Sequence, residues 1–271
     1  MSRIAETFAA LKRLGRGGFI PFITAGDPDI ATTELLLIEL AAAGADIIEL
    51  GVPFSDPVAD GETIQRASER ALRKGVTLRD VLTCVARAKQ RIDVPIVLFS
   101  YFNPLLRFGE DRLANEAKEA GVDAVLVTDL IPEEAQTWIE ILVQRGLEPI
   151  FLVAPTTSDQ RLQEIARQAR GFIYAVSRAG VTGARDEMTG DAEALVKRVR
   201  SVSDLPVAVG FGISTAEQVR EVWRFADAAV IGSAIVSQIE RLGNSPDLVQ
   251  RVGELARSLV APMQMGRAVV S

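Results

Sequence analysis

A single (β/α)8 TIM barrel is the fold class this sequence predicts, and three observations carry the prediction. Eight short apolar or β-branched runs alternate with amphipathic stretches along the 271 residues. Strands that alternate with helices pair in parallel through crossover connections, and eight of them in a chain of this length close into a barrel. The segments around the strand starts also repeat: A-G-A-D-I-I-E-L at 43–50 returns as A-G-V-D-A-V-L-V at 120–127 and, more loosely, as F-A-D-A-A-V-I-G at 225–232. Finally, no linker, low-complexity segment or composition break divides the sequence, so residues 1–271 are expected to form one domain. An open doubly wound sheet is the alternative. It is disfavoured because no G-x-G-x-x-G turn follows the first strand.

In chain order, strands are expected at 19–24, 46–50, 95–101, 123–127, 149–153, 172–176, 206–209 and 227–231. Even-numbered strands tend to open with Gly or Ala and then Asp. Odd ones tend to open with Pro, which costs least at a strand's first residue because its missing donor matters least there. D-V-P-I-V at 93–97 and D-L-P-V-A at 204–208 are the clearest pair. Helical periodicity marks 32–43, 78–91, 135–145, 159–169 and 215–225, and a further helix is expected to begin at Ser233. Two helical segments exceed the barrel's needs: 62–74, inserted after the second strand, and 246–260 near the carboxyl end.

Composition excludes several classes of function. Apolar residues make up 48% of the chain, enough for a sizeable core, and the net charge of −6 offers no basic footprint for nucleic acid or an anionic membrane. The amino terminus, M-S-R-I-A-E-T-F, has no apolar run of signal-peptide length, and no stretch is long enough to span a bilayer. The single cysteine, Cys84, cannot form an internal disulfide, and a reducing cytoplasm fits that usage. Histidine is absent altogether. That removes Ser-His-Asp and Cys-His systems, histidine-held zinc and imidazole proton shuttling.

The most informative segment is I-I-E-L-G-V-P-F-S-D-P-V-A-D-G at 47–61. Glu49 lies inside an apolar strand, where an unpaired carboxylate is costly to bury, and Asp56 and Asp60 lie on the loop that follows. Barrel enzymes present their acid–base groups at the carboxyl ends of strands. Thr24, Asp27, Tyr101, Asn103, Thr128, Asp129, Tyr174 and Arg178 fall at the same level. Burial beside Ile48 and Leu50 is expected to raise the pKa of Glu49 towards neutrality, so that one carboxyl could both donate and accept a proton. The structural reading of this segment is a buried Glu and two turn-forming Asp.

Glycines cluster after the last three strands, in S-R-A-G-V-T-G (177–183), G-F-G-I-S (210–214) and I-G-S-A (231–234). Such loops let backbone amides approach a ligand, and a helix starting at Ser233 would point its positive end into the same space. A phosphate cradle is expected there. None of the five lysines (Lys12, Lys74, Lys89, Lys118, Lys197) is placed at a strand end for a Schiff base. A divalent metal held by carboxylates alone is the other option, but Glu49 and Asp60 have no obvious third or fourth ligand nearby. No metal is expected, and what remains is cofactor-free general acid–base chemistry on a phosphorylated small molecule.

These residues carry a resemblance. E-L-G-V-P-F-S-D-P-V-A-D-G, with P-F-I-T-A-G-D-P upstream and S-R-A-G-V-T-G and G-F-G-I-S downstream, closely resembles the tryptophan synthase α-chain family from about Phe19 to Ile239. The resemblance implies retro-aldol cleavage of indole-3-glycerol phosphate to indole and glyceraldehyde 3-phosphate. On the matching motifs, Glu49 is the acid–base residue, Asp60 the partner of the indole N–H, and Tyr174 a tyrosine near the reacting centre. Gly183, Gly212, Gly232 and Ser233 match phosphate-binding positions, and Phe22, Tyr101, Thr182 and Phe211 match the indole pocket. For Phe22 and Phe211 barrel core is the plain alternative. Arg178 and Thr182 would lie on a closing lid, with Gly180 and Gly183 as hinges.

The resemblance further implies a β-chain partner in an αββα complex. Pyridoxal phosphate is expected only in that partner, met through residues 53–60 and a loop at 103–108, with Asp56 on that surface. A stand-alone lyase that releases free indole, a non-catalytic allosteric barrel, and a neighbouring phosphate-binding barrel enzyme are the alternatives.

Overall fold

The computed structural model describes residues 1–176, 185–210 and 212–260, with the backbone alone for 185–189. Eight parallel strands form a closed barrel in sequence order: β1 Gly18–Thr24, β2 Ile48–Gly51, β3 Ile96–Ser100, β4 Ala124–Val127, β5 Glu148–Val153, β6 Ile173–Val176, β7 Val207–Gly210 and β8 Ala228–Ile231. All eight lie where the apolar runs place them, to within two residues at either end. The pairing of β1 with β8 closes the ring, Gly18 opposite Ala228 through Pro21 opposite Ile231.

Twelve helices surround the strands among the described residues. They are α1 Arg3–Arg13, α2 Ile30–Ala42, α3 Glu62–Arg73, α4 Leu78–Ala88, α5 Phe102–Phe108, α6 Glu110–Ala120, α7 Gln136–Gln144, α8 Asp159–Gln168, α9 Arg185–Arg200, α10 Ala216–Val222, α11 Ser233–Leu242 and α12 Leu248–Val260. The two expected extras, α3 and α12, are present. Four lie outside the ranges expected from the sequence: α6 and α9, which the alternation of strands and helices calls for, and α5 and α1, which it does not. α5 replaces the loop expected at 103–108, and its amino end is held by Asp129, which accepts the Phe102 N–H at 2.7 Å from the next βα loop. α1 lies across the amino-terminal mouth of the barrel. Its Ile4, Phe8 and Leu11 join Ile20, Ile47, Val97, Ile150 and Phe172 in the interior cluster, while the larger cluster fills the layer between strands and helices. No helix among the described residues is long and apolar enough to cross a membrane.

The internal repeat has a structural cause. Asp46, Asp123 and Asp227 stand just before β2, β4 and β8, and each accepts the N–H of a residue at the start of the preceding strand. Those donors are Phe19, Ile96 and Val207, at 2.9, 2.9 and 2.8 Å. A cation backs each carboxylate: Arg16 at 2.7 Å, Lys89 at 3.3 Å and Arg200 at 3.1 Å. Strand starts would otherwise leave donors unpaired, so an aspartate there satisfies the backbone and fixes the register together. At β6 the corresponding residue is Phe172. It is fully buried and meets the Phe8 ring of α1 at 5.8 Å.

Candidate active site

Glu49 lies in the middle of β2, opposite Phe22 of β1 and Val97 of β3. Side chains two apart share a face of a strand. Glu49 therefore follows Ile47 into the barrel interior. It is fully buried, and neither carboxyl oxygen has a hydrogen-bond partner. Burial alone pushes its pKa from 4.5 up to about 8, because ionisation would place a charge where no water or donor can solvate it. The group is thus a neutral acid at pH 7, ready to give up a proton to a base brought against it.

Asp60 is presented by the loop between β2 and α3, and that loop is fastened at several points. Ala59 N–H donates to Tyr101 Oη at 2.9 Å, Asp60 N–H donates to the Pro57 carbonyl at 3.0 Å, and Gln65 Nε2 donates to the Asp60 carbonyl at 2.9 Å. Burial raises the Asp60 pKa to about 6, and a hydrogen bond from Tyr101 opposes the rise. Near neutral pH the two acids therefore differ in state, with Glu49 protonated and Asp60 ionised. A pair of carboxyls driven apart in this way divides acid and anion roles between them.

Tyr174, on β6, is buried, and its phenol is pushed well above 10, first by burial and then by the nearby charges of Glu49 and Asp60. The phenol has room only because residue 210 is glycine, since a Cβ there would lie 2.5 Å from Tyr174 Oη. Gly51 does the same for Phe22, whose Cζ lies 2.6 Å from where a Cβ would sit. The Phe22 ring meets Phe99 edge-on at 5.3 Å and 77°. Ile64 and Ala67 of α3 and Val236 of α11 complete an apolar wall. Tyr101 packs its ring on Phe54 at 5.1 Å. Phe22 is thus both buried core and wall of this space, and Phe99, Ile64 and Gln65 join the site without having been singled out in the sequence.

Gly232 precedes α11, and no side chain caps the helix there. Its carbonyl takes the Ile235 and Val236 N–H groups, each at 3.0 Å, so the Ser233 and Ala234 amides are the ones open to an anion. Gly212 has φ +66° and open space around it. Thr182, Gly183 and Phe211, with Arg178 and Gly180, lie outside the described residues. Other strand-end groups serve the frame. Asp129 caps α5, Thr128 hydrogen-bonds the Tyr101 phenol, and Asp27 is gripped by Arg70. Asn103 and Asp56 are exposed, and Asp56 accepts a hydrogen bond from Ser55 Oγ at 2.5 Å on the loop rim. All five lysines sit on the helices or directly at their carboxyl ends, none at the carboxyl end of a strand.

A closed parallel barrel with a buried neutral acid, an ionised carboxylate on the loop that follows the same strand and an open helix amino terminus defines a (β/α)8 enzyme of the acid–base class. A family model described as "Tryptophan synthase alpha chain" matches residues 8–264. Relatives with that name include one from Citrifermentans bemidjiense, 51% identical over 96% of this chain and 97% of its own length. Another, from Geobacter sulfurreducens, is 53% identical over 89% and 91%. Among solved structures, tryptophan synthase subunit alpha from Legionella pneumophila superposes with a TM-score of 0.91 at 37% identity, covering 98% of this chain and 99% of that one. A chain of Mycobacterium tuberculosis tryptophan synthase gives 0.88 at 38%, covering 97% and 98%. The chain belongs to the tryptophan synthase alpha chain family.

Proposed function

We propose that Glu49 and Asp60 perform the lyase reaction of this family, the cleavage of indole-3-glycerol phosphate to indole and glyceraldehyde 3-phosphate. The observation that carries the assignment is the unpartnered, fully buried and protonated carboxyl of Glu49. Glu49 gives its proton to indole C3. The positive charge that this places on the ring nitrogen is stabilised by the Asp60 carboxylate, which accepts the N–H. Glu49, now a carboxylate, takes the proton of the hydroxyl on the carbon bonded to C3. The carbon–carbon bond breaks, its electron pair returns to the ring, and Glu49 ends the cycle as it began. Tyr174, whose phenol feels the charges of Glu49 and Asp60, is the tyrosine near the reacting centre in this reading.

Gly212, Gly232, Ser233 and Gly183 form the phosphate cradle in this reading, and Phe22, Tyr101, Thr182 and Phe211 line the indole pocket. Residues 1–271 act as one barrel domain, and no step calls on a cofactor of this chain's own. Indole passes to the β chain, the subunit that carries pyridoxal phosphate. Val58, Leu106 and Ile131, exposed apolar residues on the loop after β2, on α5 and on the loop after β4, support a partner surface at that rim, with Asp56 beside them. The test is indole release from indole-3-glycerol phosphate by wild type and Glu49→Gln, with and without β chain. Wild-type turnover that is stimulated by the β chain is expected, with essentially none in the variant. More than a few per cent of wild-type turnover in Glu49→Gln overturns the role of Glu49.

A further inference from the structure

We propose that Arg70 is a positioning residue that makes anion capture at the amino end of α11 felt at Asp60. The inference rests on the phosphate reading given above. The Asp27 side chain, on the loop after β1, is only 2% exposed and carries a charge that must be met. Arg70 of α3 meets it with two parallel bonds, Nε to Oδ1 and Nη2 to Oδ2, each 2.8 Å. Its remaining Nη1 donates to Oε1 of Glu240, on α11, at 2.7 Å. Arg66 closes the cluster on Glu240 with bonds of 2.7 and 2.8 Å.

One guanidinium therefore joins three elements, and each of them carries a different part of the site. β1 brings Phe22 and then, through its loop, Asp27. α3 follows directly on Asp60 and holds the Asp60 carbonyl through Gln65. α11 begins at Ser233, and Glu240 lies seven residues further along the same helix, about 10 Å at the α-helical rise. An anion drawn to the first turn of α11 pulls on a rigid rod whose other anchor is Arg70. The same arginine fixes the helix from which Asp60 hangs. A fork that bonds two carboxylates on different elements sets their mutual position as well as neutralising charge, which a lysine in its place would do with a single point.

The experiment is amide hydrogen exchange on the full chain with and without glyceraldehyde 3-phosphate, in wild type, Arg70→Met and Arg70→Lys, together with steady-state kinetics. In wild type the ligand is expected to slow exchange both at 233–236 and in the Asp60 loop, residues 54–61. In Arg70→Met protection at 233–236 remains, protection of the loop is lost, and kcat falls about ten- to a hundred-fold with KM little changed. Arg70→Lys is expected to fall between the two. Loop protection equal to wild type in Arg70→Met overturns the proposal, as does a wild-type loop that ignores ligand bound at α11. If Arg70→Met does not fold, loop protection equal to wild type in Arg70→Lys overturns it too. Absence of protection at 233–236 in wild type overturns the phosphate reading itself, a separate result.

Discussion

Tyr101 Oη accepts the backbone N–H of Ala59 at 2.9 Å, so the phenol holds the chain one residue before Asp60. The same hydroxyl lowers the Asp60 pKa against the larger effect of burial. Replacing Tyr101 with Phe removes both effects and leaves the ring on Phe54. Asp60 must be ionised to stabilise the ring nitrogen, so the acid limb of kcat/KM is expected near 6 in wild type and higher in Tyr101→Phe. A pH–rate profile with an unmoved acid limb would show that the phenol does not govern this ionisation.

Glu49 should also make the fold sensitive to alkali. Unfolded, it releases its proton near 4.5, whereas folded it keeps the proton until about 8. Between those values the native state binds more protons than the unfolded one, so stability falls as pH rises and the loss is complete above about 8. The full penalty is on the order of a few kcal/mol. Glu49→Gln has nothing to ionise. Its urea midpoint, close to that of wild type at pH 4.5, should exceed it increasingly up to pH 8.5, and parallel curves would contradict the burial argument.

Phe8→Ala is expected to cost about 3 kcal/mol of stability, because Phe8 is buried against Phe172 at the amino-terminal mouth. Well below the unfolding transition its kcat should match wild type, since the ring is at the far end of the barrel from the acids. Thermal unfolding and indole-release assays on one preparation check both statements. A large kcat loss would mean that α1 shapes the site.

Gly212→Val is expected to raise KM by ten-fold or so through the phosphate, with a smaller effect on kcat. Its φ of +66° suits glycine and strains a β-branched residue, although the surrounding space is open. Steady-state kinetics separate the two parameters. A kcat loss at unchanged KM would remove Gly212 from the phosphate cradle.

The barrel was legible because six of its eight strands announce themselves as apolar runs opened by Asp or Pro, and Glu49 because an acid breaks such a run. α5 was not legible. Its F-N-P-L-L-R-F looks like a loop, yet Pro104 sits in the helix's first turn, where a missing N–H costs nothing, and the capping group, Asp129, comes from another loop. α1 is hard to read from the sequence although Ile4, Phe8 and Leu11 keep helical spacing, since the mouth they close exists only once the barrel does. Gly210 was grouped with the phosphate glycines, but its tertiary neighbour is Tyr174. Asp27 read as a strand-end acid until its partner, 43 residues away, was in place.

The three aspartates that stitch β1 to β2, β3 to β4 and β7 to β8, and the phenylalanine pair that stands in their place at β6, give the barrel two kinds of fastener. Charged seams loosen as salt is added, whereas an oily seam loosens on cooling. The molecule therefore has two ways to come undone, one at three of its joints and one at the fourth. The fourth joint is also the one that leads straight into Tyr174.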